Sequence, residues 1–238
     1  MEKVIFKEKL KDGLESLALD YNENILEKLY IYMKFLLEEN KKYNLTSITK
    51  EEEVITKHFI DSLSLIPFLK DEKNLIDVGT GAGFPGMVLK IYRPDLDIVL
   101  LDSLLKRINF LLKLKNRLEL NNIELIHSRA ELVGKKEFRG RFNMAVSRAV
   151  APLNVLFEYT IPLVKPGALM ALYKGPEYET ELKQAKRALN LLGGELFRII
   201  SVNNKLIPGE RYIIIAKKVL PTPSKYPRRN GIPKKRPL

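Results

Sequence analysis

The sequence predicts an α/β protein: a mostly parallel seven-stranded sheet, closed by an antiparallel hairpin and preceded by a helical N-terminal extension. Two observations carry this expectation. Between residues 74 and 218 short apolar runs alternate with amphipathic stretches, the pattern of parallel strands joined by crossover helices. The last two runs, near 196–202 and 211–216, lie too close together for a crossover helix, so they are expected to pair antiparallel.

The elements follow in order. Within residues 1–70, Leu10, Leu14 and Leu17 recur at helical spacing, as do Leu26, Leu29, Met33 and Leu36. A third helix is expected from Thr49, whose hydroxyl and Glu52 have capping-box spacing, through Ile55, Phe59 and Leu63 to a stop near Pro67. Within residues 71–220, strands are expected at 74–78, 97–102, 123–127, 142–146 and 169–173. Helices are expected to open at Pro85, to span 104–120 and 177–192, and to end near Pro166-Gly167. Lys106, Lys113 and Arg117 fall on one side of the 104–120 helix, as a solvated face or part of an RNA track. Residues 221–238 hold five prolines and six basic residues, and are expected to form an extended basic tail.

Charge is unevenly placed. The 238 residues carry 41 Lys+Arg against 29 Asp+Glu, a formal net charge of +12. Residues 1–70 carry −2, residues 71–220 carry +8 and the tail carries +6. A basic field concentrated in one part of a chain favours a polyanionic partner, although it also suits a merely solvated surface. With no Cys, disulfides, thiolate metal sites, Cys nucleophiles and iron–sulfur clusters are excluded, and two His exclude a His-rich metal cage. No metal is expected. No apolar run approaches the roughly 18–20 residues of a membrane span, and the acidic N-terminus is no secretory signal. A cytoplasmic monomer without a membrane partner is expected.

The site reading starts from the run Asp77-Val78-Gly79-Thr80-Gly81-Ala82-Gly83-Phe84-Pro85-Gly86, placed after a strand and before a helix. Its glycines allow a tight turn and close approach to a ligand. The dinucleotide fingerprint G-x-G-x-x-G fails because Phe84 stands where the last glycine belongs. What remains is G-x-G-x-G, the spacing of S-adenosylmethionine enzymes. Asp102 ends the second strand 23 residues after Gly79, where a carboxylate can accept both hydroxyl protons of an adenosine ribose or cap the next helix. Ser128-Arg129-Ala130-Glu131 follows the third strand, beside the adenine in this topology or as a capping turn. Arg148 ends the fourth strand, facing the target or serving as a phosphate contact or surface ion pair. His58 and Asp61, three residues apart, are expected as a hydrogen-bonded pair or a group near the RNA or cofactor.

Without Cys, methylation at pyrimidine C5 is impossible, and the Asn/Asp-Pro-Pro-aromatic signature of amino methylation is absent. An acceptor with an available lone pair, such as guanine N7, needs no general base, and alignment supplies most of the acceleration.

Residues 79–86 resemble the signature of the bacterial small-subunit ribosomal RNA guanine-N7 methyltransferases, the glucose-inhibited division protein B family. The resemblance extends through Asn44-Leu45-Thr46, His58-Phe59-Ile60-Asp61-Ser62-Leu63, Asp102-Ser103-Leu104-Leu105-Lys106-Arg107, Ser147-Arg148-Ala149-Val150, Lys174-Gly175 and residues 226–234. It departs at Glu39, where the family often has Trp before the following Asn. The resemblance implies a Rossmann-like methyltransferase fold and S-adenosylmethionine contacts at Gly79, Phe84, Asp102, Ser103, Leu104, Ala130, Glu131 and Arg148. It further implies methylation of guanine N7 in the 530 loop of 16S rRNA, with the rRNA or small ribosomal subunit as partner; Arg148, from its place at the end of the fourth strand, is expected to span cofactor and target base as the catalytic residue. The alternatives are a methyltransferase for a small molecule or protein, and a non-catalytic RNA-binding assembly factor. Arg228, Arg229 and Lys234 are expected to touch RNA phosphates, unless Tyr226 and the prolines pack the tail onto the domain. In the first case cofactor binding would not depend on the tail.

Overall fold

In the computed structural model, which describes residues 1–69 and 72–238, two helices open the chain. α1 (Lys3–Ser16) buries Phe6, Leu10 and Leu14, and α2 (Glu23–Tyr43) buries Leu26, Leu29, Met33 and Leu36 on the predicted stripe. Leu17 falls just past α1, as its C-cap. Asn22 caps α2 by accepting from Ile25 N–H at 3.0 Å.

The third helical segment differs from expectation. It starts as α3 (Glu51–Glu53), widens into a π-helix (Val54–Ile60) and finishes as α4 (Asp61–Leu63). Its N-cap is Lys50, and no capping box forms between Thr49 and Glu52, because the Glu52 carboxylate pairs with Lys9 on α1. Pro67 begins a helix instead of ending one. It lies in the first turn of α5 (Ile66–Leu69), where its missing N–H has no helical partner to lose. The expected boundary at 70/71 lies outside the described residues.

The remainder alternates as predicted: β1 (Asn74–Val78), α6 (Gly86–Tyr92), β2 (Asp97–Asp102), α7 (Leu105–Arg117), β3 (Ile123–His127), α8 (Ala130–Val133) and β4 (Phe142–Arg148). Then come α9 (Leu153–Thr160), a 3-10 turn (Ile161–Leu163), β5 (Val164–Lys174), α10 (Tyr178–Leu191), β6 (Gly194–Ser201) and β7 (Tyr212–Lys218). The sheet order is β3-β2-β1-β4-β5-β7-β6, with β1 to β5 parallel and β7 antiparallel to both neighbours. Pro166 and Gly167, expected at a helix end, lie inside β5. The register passes from Phe142↔Val164 to Met144↔Leu169, so the two breakers sit in a bulge that needs no ladder bonds from them.

Side chains alternate across the sheet with period two and feed two cores. Leu75, Ile98, Leu100, Met144 and Val146 point to one face, where they join α1, α2 and the π-helix in a single apolar cluster. Ile76, Val99, Leu101, Ala145 and Met170 point to the other, against α9 and α10. The N-terminal helices are thus part of the sheet's own core. The basic side of α7 stays exposed, as a solvated face, while its side chains reach α2: Lys113 pairs with Glu39 at 3.0 Å, Lys106 donates to Tyr43 O at 2.7 Å, and Arg117 lies over Phe35. Glu39, where the resemblance departs, is buried between Lys42 and Lys113.

The tail is not extended. Tyr226 and Pro227 are buried, and residues 232–235 form α11 (Ile232–Lys235). Arg139 donates to the carbonyls of Thr222, Pro223 and Tyr226. Arg228 grips the fully buried Glu158 of α9 through Nε and a 2.6 Å Nη2 contact, and its Nη1 donates to Arg236 O. That commitment withdraws the Arg228 guanidinium from the expected phosphate contacts. Arg229 remains exposed.

Arg228→Ala should therefore strand the Glu158 carboxylate and cost about 2–3 kcal/mol, less than the ~3–5 of a fully buried pair because the arginine is 23% exposed. Thermal unfolding of Arg228→Ala and Arg229→Ala checks this: the first should melt several degrees lower, the second unchanged. Equal melting temperatures would contradict the docked tail.

Candidate functional site

The strand order reverses between β1 and β4, and the crevice at such a switch point lies beyond the carboxyl ends of the strands. The loop after β1 is pulled across that edge by Gly79 and Thr80 N–H, which both donate to Leu101 O at 2.8 and 3.0 Å. Two glycines are sterically required. At Gly79, with φ 74°, a Cβ would stand 2.4 Å from Val150 Cγ2; at Gly83, with φ 104°, it would stand 2.5 Å from the Tyr32 hydroxyl oxygen. Beneath the loop, Asp77 Oδ2 accepts from Gly86 N–H at 2.8 Å. Burial pushes the Asp77 carboxyl up to about 7, against the pull of Thr80 and Gly86.

Asp102 closes the loop from the β2 side. Its Oδ2 accepts from Gly81 N–H at 2.9 Å and from Arg107 at 3.1 Å, and its Oδ1 accepts from Leu104 N–H at 2.9 Å. Leu104, not Asp102, is the N-cap of α7. Carboxylate oxygens accept about two hydrogen bonds each, so Oδ1 keeps acceptor capacity. Asp102 lines two adjoining cavities that also share Gly79, Ser103 and Val150. The first, about 200 Å³, is walled by Ser128, Ala130, Glu131 and Tyr159, with Lys234 of the tail at its rim. Tyr159 is pushed up to about 12 by burial and then by Glu131. Glu131 accepts from Gly231 N–H at 2.9 Å, so the tail helps to build this wall. The cavity wall is therefore built from the tail as well as from the sheet's carboxyl edge.

The second cavity, about 310 Å³, is walled by Phe84, His58, Arg148 and Thr46. Phe84 is a buried slab: His58 stacks on it with centroids 4.0 Å apart, Tyr32 stacks at 5.4 Å, and the Arg148 guanidinium lies 5.1 Å from its centroid. Arg148 Nη1 donates to Lys57 O at 2.8 Å and Asp61 Oδ2 at 2.6 Å, while Nη2 donates to His58 Nδ1 at 2.9 Å. Burial, and then the Arg148 charge, hold His58 down to about 3, so its ring is neutral. Through Thr46, His58, Arg107 and Arg148 this cavity continues into a third of about 860 Å³, whose rim carries Lys57, Lys174 and Arg211.

The structure thus brings Gly79, Phe84, Asp102, Ser103, Ala130, Glu131 and Arg148 to one continuous cleft. Leu104 does not line it and is 43% exposed. Lys234, expected on RNA, lies at the cleft. Thr46 and Tyr159 went unassigned, and Asp61 and His58 prove to be the anchors of Arg148. Thr46 lies in a run that the resemblance singles out; Tyr159 carries no sequence signal.

The cleft fits S-adenosylmethionine: a glycine loop without bulky side chains, a buried carboxylate with acceptor capacity left, and the small Ala130 in the far wall. Comparison with known proteins agrees in fold and family. Solved structures of M. jannaschii TYW2 in complex with AdoMet (TM-score 0.53, 16% identity, 67% of this chain and 74% of that one) share the fold. So does a 16S rRNA (adenine(1408)-N(1))-methyltransferase mutant from Catenulisporales acidiphilia (TM-score 0.51, 16% identity, 68% and 93%). Proteins named ribosomal RNA small subunit methyltransferase G are far more similar. That of Lachnoclostridium phytofermentans is 49% identical over 95% of both chains, and that of Alkaliphilus oremlandii 46% over 98% of both. The family model described as GidB, rRNA small subunit methyltransferase G, matches residues 25–213. With that match over most of its length, the chain belongs to the rRNA small subunit methyltransferase G family.

Proposed function

We propose that the chain transfers the methyl group of S-adenosylmethionine to N7 of a guanine in the 530 loop of 16S rRNA. When bound, S-adenosylmethionine supplies an electrophilic methyl on a sulfonium. Asp102 would hold one ribose hydroxyl through the remaining acceptor site of Oδ1, Ala130 and Glu131 the base, and the Gly79–Gly83 loop the chain that joins them to sulfur. The observation that carries the choice of N7 is the state of the groups where the two larger cavities meet. His58 is neutral, with Nδ1 taken by Arg148 and Nε2 by Thr46; Asp61 is ion-paired. An amine or hydroxyl acceptor must give up a proton; the imidazole has no lone pair free to take it, and the Asp61 carboxylate is buried and already held by Arg148. An imidazole-type nitrogen brings its own lone pair, so the chain has only to align the acceptor and exclude water. Arg148, fixed by three partners, is a rigid wall for that alignment. The third cavity is lined by Lys57, Arg107, Arg148, Lys174 and Arg211 against Asp61 and Glu181, a net positive wall that suits a phosphate-bearing substrate even with Lys174 paired to Glu181, and the 530 loop is supported by the family resemblance.

Incubation with methyl-labelled S-adenosylmethionine and ribosomal RNA, small subunits, protein or small-molecule fractions tests the reading. Label should appear in 16S rRNA as N7-methylguanosine on nucleoside digestion. Label in protein or small molecules, or none in any fraction, would reject it.

Asp102→Asn keeps the shape of the loop but loses the charge. It should weaken S-adenosylmethionine by about 1.5–3 kcal/mol, the range for a hydrogen bond to a charged group. Unchanged affinity by calorimetry in the folded variant would remove Asp102 from the ribose.

A further inference from the structure

Thr46 stands where the cofactor-side cavity opens into the larger one, and it lines both. Its hydroxyl oxygen accepts Ile48 N–H at 3.1 Å. His58 Nε2 lies 3.0 Å away, and the other side of the ring fixes the sense of that contact. Nδ1 faces the Arg148 guanidinium at 2.9 Å, and a guanidinium can only donate. Nδ1 is therefore the acceptor, Nε2 carries the ring hydrogen, and Thr46 accepts it. The Thr46 hydroxyl is left with its own hydrogen to give, and among the described residues no acceptor receives it.

On guanine, N7 and O6 are neighbouring acceptors on one edge. A group that presents N7 for attack must hold O6 and leave the N7 lone pair free. A guanidinium, the commonest reader of this edge, occupies both atoms. Three of the five Arg148 hydrogens, both on Nη1 among them, are directed to Lys57 O, Asp61 and His58, which takes its Nη1–Nη2 fork out of use on that edge. A hydroxyl has one hydrogen and can hold O6 alone. We propose that the Thr46 hydroxyl holds O6 of the target guanine, oriented through Arg148 and His58; this rests on the N7 reading above. Adenine presents an amino group in place of O6, which would meet the Thr46 hydrogen donor to donor. Thr46 thus also selects guanine over adenine.

The test pairs Thr46→Val and Thr46→Ser with small-subunit RNA carrying either guanine or 2-aminopurine, which lacks O6 but keeps N7, at the target position. On guanine RNA, Thr46→Val should lower kcat/KM about ten- to a hundredfold, the effect of one unmade hydrogen bond at a buried site. Thr46→Ser should keep most activity, and calorimetry should give both variants wild-type affinity for S-adenosylmethionine. Wild type should lose a similar factor on 2-aminopurine RNA, and Thr46→Val should lose little more there, since the two changes delete one contact. Losses that multiply, an unimpaired Thr46→Val, or a matching loss of cofactor affinity would each overturn the proposal. The analogue arm needs no variant: wild type working equally well on 2-aminopurine RNA overturns it alone. A product methylated elsewhere than guanine N7 would overturn the underlying reading first, and nucleoside digestion tells the two failures apart.

Discussion

The Arg148 guanidinium has been taken almost wholly out of water, at 12% exposure, beside an Asp61 carboxylate at 6%. Moving two such charges from water costs several kcal/mol each, and the pair persists only if hydrogen bonds satisfy what remains of both groups. Here a carboxylate, a backbone carbonyl and an imidazole nitrogen hold the guanidinium, with the Phe84 ring below, while Asp61 Oδ1 has no hydrogen-bond donor and Arg211 Nε lies 3.9 Å from it. All three hydrogen-bond partners lie between residues 57 and 61, while Arg148 ends a central strand. The N-terminal helices and the carboxyl edge of the sheet are therefore one electrostatic unit, just as they share one apolar core.

The π-helix makes this possible. In an α-helix Asp61 N–H would bond Lys57 O; here it bonds Thr56 O and His58 O instead. Lys57 O is released from that bond and receives Arg148. One extra residue in a turn thus turns a surface helix into an arginine receptor, as such widened turns often do at functional sites. The same knot fixes the His58 tautomer and so hands a spare donor to the cleft at Thr46. Fold, site and proposed recognition run through one side chain.

Local chemistry was legible in the sequence wherever it is repeated. Short apolar runs located every strand, the close spacing of the last two gave their antiparallel pairing, and the glycine loop with Asp102 marked the cleft. What failed depends on distant partners. The Arg228–Glu158 pair spans 70 residues, so proline and basic composition alone read the tail as extended. Arg148 meets partners 87 to 91 residues away, which no local pattern announces. Thr49 and Glu52 have capping spacing, yet Lys9 from another helix takes the glutamate. Pro166-Gly167 breaks a helix in isolation, but a bulge opposite β4 lets a strand absorb both.

The measurement that bears most directly on the Arg148 knot is a double-mutant cycle in urea unfolding, with Arg148→Ala, Asp61→Ala and both together. If the pair ties the N-terminal helices to β4, each single change strands a buried charge, and the double variant is hardly less stable than either. The coupling should then be at least about 2 kcal/mol. Losses that add to within about 0.5 kcal/mol would mean that the two groups do not depend on each other, and the account of the cleft would fail with them.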